Sequence, residues 1–364
     1  MNAHFPEIRG NFGFGMMRLP MIGEEVDMET TQKMADAFLD AGFNYFDTAH
    51  PYIHGKSEDA VKQCLAQRYS RDRFLLANKL SDTFFTTREE IRPLIESQLE
   101  KCGVEYFDFF LMHALSAKRH EKFKSLGAYE IAQQLKAEGK LRHVGMSFHD
   151  SAEVLDRILT DRPELEFVQL QFNYVDYEDP RVQSRACYEV CRKHGKPVMV
   201  MEPVKGGSLV NLPASARELL KNGSPASYAI RYAAGFEGVA MVLSGMSDMA
   251  QMEDNLSYMK DFKPLSPAEW EAVSQVRTIY QAQHRIPCTA CRYCTDGCPA
   301  GIPIPDIFTW TNRKRDPENQ PEEAYGAFSA TGADCVLCGG CERACPQHLR
   351  IRDLLAQIHR EFAG

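Results

Sequence analysis

The chain has 364 residues, of which 44% are hydrophobic, so it can bury one large core and still leave residues for a second, smaller unit. A formal net charge of −8, without an extended basic segment, argues against a nucleic-acid partner. The first residues do not join a basic stretch to an apolar one, and no run approaches the roughly 20 apolar residues of a membrane span, so we expect a cytoplasmic protein without membrane association.

Upstream of about residue 265, apolar β-rich segments alternate with helical stretches, which predicts βα units and a parallel sheet. Helix starts are indicated by a capping-box pattern at Thr87-Arg88-Glu89-Glu90 and by Ser151. The predicted strands are Phe12–Met16, Asn44–Asp47, Leu75–Lys79, Phe107–His113, His143–Ser147, Phe167–Gln171, Val198–Glu202 and Val239–Ser244. Eight such units predict an α/β fold of the (β/α)8 TIM-barrel type.

Five of these strands carry a polar residue at the carboxyl end. They are Asp47, Lys79, His113, Ser147 and Gln171, separated by 32, 34, 34 and 24 residues, close to the length of a βα repeat. In a (β/α)8 barrel these strand ends converge on the face where active sites are built. Each residue alone is more simply a core or capping residue, but the ordered set predicts a functional site.

The same residues resemble the aldo-keto reductase family over roughly residues 10–260. Gly13-Phe14-Gly15-Met16-Met17-Arg18-Leu19-Pro20 is similar to the family's first strand. The tetrad of the family is matched in order by Asp47 in Asp-Thr-Ala, Tyr52 five residues later, Lys79, and His113 after Phe-Phe-Leu-Met.

The resemblance implies hydride transfer between a nicotinamide cofactor, NADP(H) or NAD(H), and a small-molecule carbonyl or alcohol substrate. Tyr52 would be the general acid, because an ammonium group beside a phenol favours the phenolate. That ammonium would be Lys79, held charged and oriented by Asp47. His113 would donate a hydrogen bond to the substrate oxygen or share in the proton transfer.

The resemblance also implies four cofactor contacts. Ser147 and Gln171 fall where the family holds the nicotinamide carboxamide, Ser244 opens the adenosine-phosphate loop, and Asn255 would face the adenine.

Three positions depart from the family pattern. Met201 stands where many relatives have an aromatic residue that stacks on the nicotinamide. Gly245 and Gln251 stand where many relatives carry a lysine and an arginine for the 2′-phosphate. The choice between NADPH and NADH therefore stays open.

The segment after the barrel begins with a capping pattern, Ser266-Pro267-Ala268-Glu269, ahead of an apolar helical stretch. We therefore predict three regions: a barrel at 1–265, a connecting helix at 266–284, and a smaller, mainly helical domain at 285–364, which contains most of the cysteines. Helices in the last region are indicated by apolar residues at helical spacing, at Ile304, Ile307 and Phe308 and again near the end of the chain.

Eight of the twelve cysteines form two copies of the C-x2-C-x2-C-x3-C-P spacing of bacterial ferredoxins. Three closely spaced thiolates bind three corners of one cubane and the fourth reaches the other cluster, so we assign the ligands crosswise. One 4Fe–4S cluster takes Cys288, Cys291, Cys294 and Cys345; the other takes Cys335, Cys338, Cys341 and Cys298. Two structural zinc sites are the alternative, but zinc usually takes its cysteines as two separated pairs.

Three functional hypotheses follow. In the first, the barrel performs hydride chemistry and the clusters exchange single electrons with a redox partner protein, a ferredoxin or a flavoprotein. In the second, the chain is an electron-transfer adaptor whose barrel docks partners or senses nucleotide. A third possibility is that the clusters only stabilise the fold. The sequence does not specify the substrate.

Overall fold

The computed structural model describes residues 4–316 and 320–363. Its barrel is a closed ring of eight strands in which every neighbouring pair is parallel. The strands are β1 (Phe12–Gly15), β2 (Tyr45–Asp47), β3 (Leu75–Leu80), β4 (Phe107–Leu115), β5 (Leu141–Phe148), β6 (Val168–Gln171), β7 (Val198–Met201) and β8 (Val239–Gly245). The predicted (β/α)8 fold and the eight predicted strands are confirmed, with strand ends within two residues of the expected positions.

Helices alternate with the strands along the chain. They are α1 (Met28–Asp40), α2 (Lys56–Val61), α3 (Ile91–Cys102), α4 (Ala117–Ser125), α5 (Ala128–Ala137), α6 (Ala152–Asp161), α7 (Ser184–Lys193), α8 (Ala214–Arg217), α9 (Pro225–Ala234), α10 (Met249–Met259) and α11 (Pro267–Ala282). A short antiparallel hairpin, Met21–Ile22 with Glu25–Val26, was not predicted, because two-residue strands leave no periodic pattern.

The predicted helix starts are only partly confirmed. The Ser151 hydroxyl accepts a hydrogen bond from Val154 N–H at 3.4 Å and caps α6 as expected. The capping box at Thr87 was wrong in detail, because α3 begins only at Ile91. The Glu90 carboxylate instead accepts hydrogen bonds from the main-chain N–H groups of the two preceding threonines, which orders the turn ahead of the helix.

Large apolar side chains fill the barrel interior. Tyr45, Phe109, Phe167, Met199 and Met241 belong to one buried cluster, and all are at most 1% exposed. Strand residues that alternate in direction supply this interior layer, as expected for a packed barrel rather than a pore.

The chain forms two compact units. The first runs from residue 4 to Pro203 and from Ala226 to Trp270. The second joins Val204–Pro225 to the residues from Glu271 onwards. The sequence prediction had assigned Val204–Pro225 to the barrel region; in the structure this segment packs within the second unit.

Contacts inside the second unit explain that grouping. Tyr280 donates a hydrogen bond from its hydroxyl to Ser208 Oγ at 3.0 Å, and an Arg285 guanidinium nitrogen donates to the Asn211 carbonyl oxygen at 3.5 Å. Patterns of apolar residues do not encode individual hydrogen bonds of this kind, so the sequence did not reveal them.

The second unit is mainly helical in its C-terminal part, as predicted. Its helices there are α12 (Ile304–Lys314), α13 (Gly340–Ala344) and α14 (Ile351–Phe362). Ile307, Phe308, Leu355 and Ile358 are at most 1% exposed and form its core, so the helical spacing read from the sequence is confirmed. Within residues 4–316 and 320–363, no helix is both long enough and apolar enough to cross a bilayer.

Candidate functional site

The five polar residues predicted at strand ends lie near the carboxyl ends of five consecutive barrel strands, β2 to β6. Asp47, Lys79, His113, Ser147 and Gln171 are all buried, none more than 8% exposed. Since buried polar side chains need partners, the hydrogen bonds of each residue define the site.

An ion pair joins the first two of these residues. Lys79 Nζ lies 2.6 Å from Asp47 Oδ1 and also donates a hydrogen bond to the Thr48 carbonyl oxygen at 2.7 Å. Burial raises the pKa of Asp47 and lowers the pKa of Lys79, and the attraction between the two charges opposes both shifts. Two buried groups at this distance stabilise each other as a charged pair.

Tyr52 lies on the loop that follows β2. Its side chain is buried, and the centre of its ring is 4.7 Å from Lys79 Nζ. The ring also stands nearly perpendicular to the His113 imidazole, with ring centres 6.2 Å apart. The next two residues, Ile53 and His54, have φ angles of 51° and 53°, an unfavourable left-handed conformation for a β-branched residue such as Ile53. Strained backbone of this kind is often found at functional sites.

His113 is buried against Ser81. Ser81 Oγ lies 2.5 Å from His113 Nδ1, within hydrogen-bonding distance. Burial holds the pKa of His113 well below its usual range, and the positive charges of Lys79 and Arg119 add to the shift. The imidazole is therefore neutral near pH 7, so one ring nitrogen carries a proton and the other does not.

Sequence reasoning missed Ser81. The residue follows the last position of β3 and lies two positions after Lys79. Because side chains two apart on an extended strand point to the same side, the alternation itself could have identified it.

Ser147 and Gln171 occupy the next two strand ends. Ser147 Oγ accepts a hydrogen bond from Ala114 N–H at 2.7 Å, which leaves the hydroxyl proton able to donate elsewhere. Gln171 Nε2 donates to Asp176 Oδ2 at 2.6 Å, which fixes the orientation of its amide. These contacts orient one hydroxyl and one amide at adjacent strands.

The other two predicted cofactor residues contact each other. Ser244 Oγ lies 2.8 Å from Asn255 Oδ1, so the end of β8 is tied to α10, and both residues are buried. Asp248 caps α10 by accepting a hydrogen bond from Gln251 N–H at 2.8 Å, and its other carboxylate oxygen accepts one from Gln251 Nε2 at 2.8 Å. The start of this helix therefore presents a carboxylate and a neutral amide.

The eight cysteines of the second unit separate into two groups. Cys288, Cys291, Cys294 and Cys345 line one open cavity. Burial raises the pKa of Cys294, and the nearby sulfurs of the other three raise it further. Three ligands of the first sequence motif and the last ligand of the second thus surround one cavity.

The other four cysteines of the second unit line a second open cavity. These residues are Cys298, Cys335, Cys338 and Cys341. This is the crosswise division expected for ferredoxin-type spacing, in which each motif gives its fourth cysteine to the other cluster.

The geometry of these cysteines suits a cluster better than a single ion. Across the described residues, no three or more His, Cys, Asp or Glu side chains converge closely enough to hold one metal ion. A zinc site needs four ligands around one atom, whereas a 4Fe–4S cubane distributes its four thiolates over four irons. The donor set of four thiolates per cavity fits the cubane.

Comparison with known proteins finds two matching families. The profile of the aldo/keto reductase family matches residues 11–278, and a profile described as a 4Fe-4S dicluster domain matches residues 287–349. L-galactose dehydrogenase of Arabidopsis thaliana is 25% identical over 297 residues, which is 74% of this chain and 90% of that protein. NADH-specific methylglyoxal reductase of Escherichia coli K12 is 26% identical over 195 residues, 48% of this chain and 57% of that protein.

Solved structures share the fold. An aldo-keto reductase from Bacillus halodurans in its holo form superimposes with a TM-score of 0.59 at 21% identity, covering 74% of this chain and 92% of that one. An aldo-keto reductase from Klebsiella pneumoniae in complex with NADPH gives a TM-score of 0.57 at 21% identity, covering 74% and 90%.

Proposed function

This chain belongs to the aldo/keto reductase family and also has an iron–sulfur domain, and we propose that it interconverts a small carbonyl compound and the corresponding alcohol with NADH or NADPH. Two 4Fe–4S clusters would exchange single electrons with a partner protein. The proposal rests chiefly on one observation, the buried Asp47–Lys79 pair beside Tyr52 and a neutral His113.

The nicotinamide cofactor supplies a hydride to the carbonyl carbon when it is bound. Ser147 and Gln171 would hold its carboxamide, because a hydroxyl donor and a fixed amide on adjacent strands match the two ends of that group. Ser244 and Asn255 would support the adenosine end, where they join β8 to α10. All four side chains are at most 4% exposed, which suits a site that excludes water.

Tyr52 is the proposed general acid. Its hydroxyl proton moves to the substrate oxygen as the carbonyl is reduced, and the phenolate left behind is stabilised by the Lys79 ammonium near its ring. Asp47 keeps that ammonium charged in surroundings that would otherwise favour its neutral form. In alcohol oxidation the same phenolate accepts the proton.

His113 is the proposed hydrogen-bond donor to the substrate oxygen. Ser81 can donate its hydroxyl proton to Nδ1, and the ring proton of a neutral imidazole then resides on Nε2. Ser81 would thus act as a positioning residue that selects the donating tautomer. A neutral donor polarises the carbonyl without adding a buried charge.

The clusters are proposed to be held crosswise, one by Cys288, Cys291, Cys294 and Cys345, the other by Cys298, Cys335, Cys338 and Cys341. Such clusters pass single electrons when they are present. We further propose a cytoplasmic location, since a reducing compartment keeps thiols available as ligands. All twelve cysteines are free of disulfides, in keeping with that location.

The alternative of an adaptor whose barrel only docks partners or senses nucleotide is less well supported. Burying two charges costs several kcal/mol per ion before their attraction repays it. A docking surface has no need of a buried Lys79 beside a tyrosine, whereas carbonyl reduction does.

One experiment separates the reductase proposal from the adaptor alternative. Protein purified without oxygen is mixed with NADH or NADPH, and the broad visible absorption of the clusters is recorded beside turnover of a small aldehyde. Turnover with bleaching supports hydride chemistry coupled to the clusters, and turnover without bleaching supports independent units. Absence of turnover with either nucleotide, in protein that contains iron and sulfide, would contradict the reductase proposal.

A further inference from the structure

One buried carboxylate close to the site takes no part in the chemistry proposed above. Glu58 lies on α2 and is 0% exposed, although carboxylates are rarely fully buried without partners. His50 Nδ1 lies 2.8 Å from its Oε2 atom, and the Lys101 ammonium lies 3.9 Å from the same oxygen. The Oε1 atom accepts hydrogen bonds from Asn78 Nδ2 at 2.9 Å and Gln98 Nε2 at 3.3 Å. Since a carboxylate only accepts, the histidine and both amides donate to it.

Two of these donors also hold the main chain of Lys79. The Asn78 side-chain oxygen accepts a hydrogen bond from Lys79 N–H at 2.8 Å, and Gln98 Nε2 donates one to the Lys79 carbonyl oxygen at 2.9 Å. Both amide side chains are 0% exposed, so water does not replace these contacts. Glu58 therefore fixes the two groups that set the position of Lys79 on β3.

The third donor belongs to the loop that carries Tyr52. This loop is closed on itself by two side-chain pairs: Thr48 Oγ1 lies 2.7 Å from Ser57 Oγ, and His50 contacts Glu58. Between these pairs, two residues adopt the left-handed backbone described above, which persists only where the surrounding structure holds it. The contact between His50 and Glu58 is one of those that keep the loop in this conformation.

Tyr52 and Lys79 come from separate segments, so their 4.7 Å contact depends on how the loop is placed against the strand. Glu58 contacts a near neighbour of each: His50, two residues before Tyr52, and Asn78, one residue before Lys79. Hydrogen bonds to an ionised group are stronger than those between neutral groups. One carboxylate thus ties together the two segments that supply the phenol and the ammonium.

We propose that Glu58 is a positioning residue of the reductase site, which holds the Tyr52 hydroxyl at the place where it gives its proton to the substrate. Because it is fully buried, it acts through its neighbours and not on the substrate itself. The inference rests on the proposed function, in which Tyr52 is the general acid. A small displacement of a catalytic group slows the chemical step strongly, whereas binding of the nucleotide does not depend on it.

The first test is Glu58→Gln in full-length protein. Glutamine has the same size, but it offers one acceptor oxygen and a donor amide, so at least one of the three donors loses its acceptor. We expect kcat for reduction of a small aldehyde to fall about tenfold or more, because the acid is displaced. KM for NADH or NADPH should change by less than about twofold.

His50 provides a second test, at a side chain that is less buried than Glu58. Asparagine can place an N–H donor near the position of Nδ1, whereas leucine offers none. His50→Asn should therefore keep most of the activity, and His50→Leu should lose kcat as Glu58→Gln does. The double variant Glu58→Gln with His50→Leu should lose less than the product of the two single effects, because both remove the same contact.

Asp108→Asn is the matched control. Asp108 is an equally buried carboxylate that accepts a hydrogen bond from Leu76 N–H at 2.8 Å, but it lies at the amino end of β4, away from the strand ends of the site. Urea unfolding should show a loss of stability in Asp108→Asn as in Glu58→Gln, whereas only Glu58→Gln should lose kcat.

Unchanged kcat in folded Glu58→Gln would overturn the positioning role, and so would an equal loss of kcat in Asp108→Asn. If Glu58→Gln does not fold, equal activities of His50→Asn and His50→Leu would overturn it instead. Failure of the proposed function is recognised separately, as absence of turnover in wild type or as turnover that persists in Tyr52→Phe.

Discussion

The ammonium nitrogen of Lys79 lies 4.7 Å from the centre of the Tyr52 ring while it forms a 2.6 Å ion pair with Asp47. Once the phenol gives up its proton, the Tyr52 phenolate, the Lys79 ammonium and the Asp47 carboxylate form a row of alternating charges. The first two predictions test the Tyr52–Lys79 contact and the Lys79–Asp47 pair.

Replacing Tyr52 with phenylalanine should remove the proton donor and leave the ring in place. We expect kcat for reduction of a small aldehyde such as methylglyoxal to fall about 100-fold or more. Binding of NADH or NADPH, followed by fluorescence titration, should change little, because the hydroxyl is not proposed to contact the nucleotide. Unchanged turnover would exclude Tyr52 as the acid.

Replacing Lys79 with methionine should affect stability as well as activity. It leaves the buried Asp47 carboxylate without its partner, and breaking a buried pair in this way costs about 3–5 kcal/mol. Urea unfolding followed by circular dichroism should show the loss. The double variant Asp47→Asn with Lys79→Met should recover much of the stability but none of the activity.

Lys33→Ala is the control for that comparison. Its exposed contact with Glu29 has the same 2.6 Å length as the buried pair but is one helical turn apart on α1. Exposed pairs of this kind contribute little to the free energy of unfolding, because water and salt screen them. A similar loss of unfolding free energy in Lys33→Ala and Lys79→Met would contradict the view that burial makes the Lys79–Asp47 pair important for stability.

The third prediction concerns pH. Burial holds the pKa of His113 well below its usual range, so below about pH 6.5 the unfolded chain binds a proton that the folded chain does not. The contribution of His113 to stability is therefore complete above that pH and is lost progressively as the pH falls. When the pH is lowered from 7.5 to 5.5, the urea concentration at the midpoint of unfolding should fall more in wild type than in His113→Gln. Equal drops would mean that His113 titrates normally.

The fourth prediction tests the crosswise cluster assignment. Cys291 and Cys345 line the same cavity although they belong to different motifs. The double variant Cys291→Ala with Cys345→Ala should therefore keep one intact cluster, measured by iron content and by electron paramagnetic resonance of the reduced protein. If each motif held its own cluster, this variant would damage both.

Cys291→Ala with Cys338→Ala is the complementary variant, since these residues line different cavities and both clusters should be lost. Cys187→Ala serves as the control for cysteine removal. Burial raises the pKa of Cys187 to about 12, so it is an unreactive thiol in α7, and its loss should leave both clusters intact.

The sequence predicted the barrel well because eight apolar strands and their polar ends recur at near-regular intervals, a signal that local patterns preserve. It also predicted which cysteines share a cavity, since spacing alone limits the reach of each thiolate. Ser81 was not identified, although its position two residues after Lys79 on an extended strand could have indicated it. Gly206 was not identified, because its importance depends on a close approach to Thr289, a neighbour distant in the chain.

The fifth prediction concerns the nucleotide. The Asp248 carboxylate and the neutral Gln251 amide stand at the start of α10, where the family resemblance puts the adenosine phosphate, and both disfavour a 2′-phosphate. We expect a lower KM for NADH than for NADPH in wild type. Gln251→Arg should narrow or reverse that difference, chiefly through KM for NADPH and with little change in kcat. Glu253→Arg, two residues along the same helix, is the control. A wild-type preference for NADPH would contradict this assignment.

The second unit is assembled from two stretches of chain, and one of them, Val204–Pro225, is encoded in the middle of the barrel sequence. Removing the chain from Cys288 onwards would therefore expose the part of this segment that packs against it, so such a truncation should lower the stability of the remaining protein. A fragment that holds only the cysteine motifs should be destabilised for the same reason, since Gly206 packs on Thr289 of the first motif.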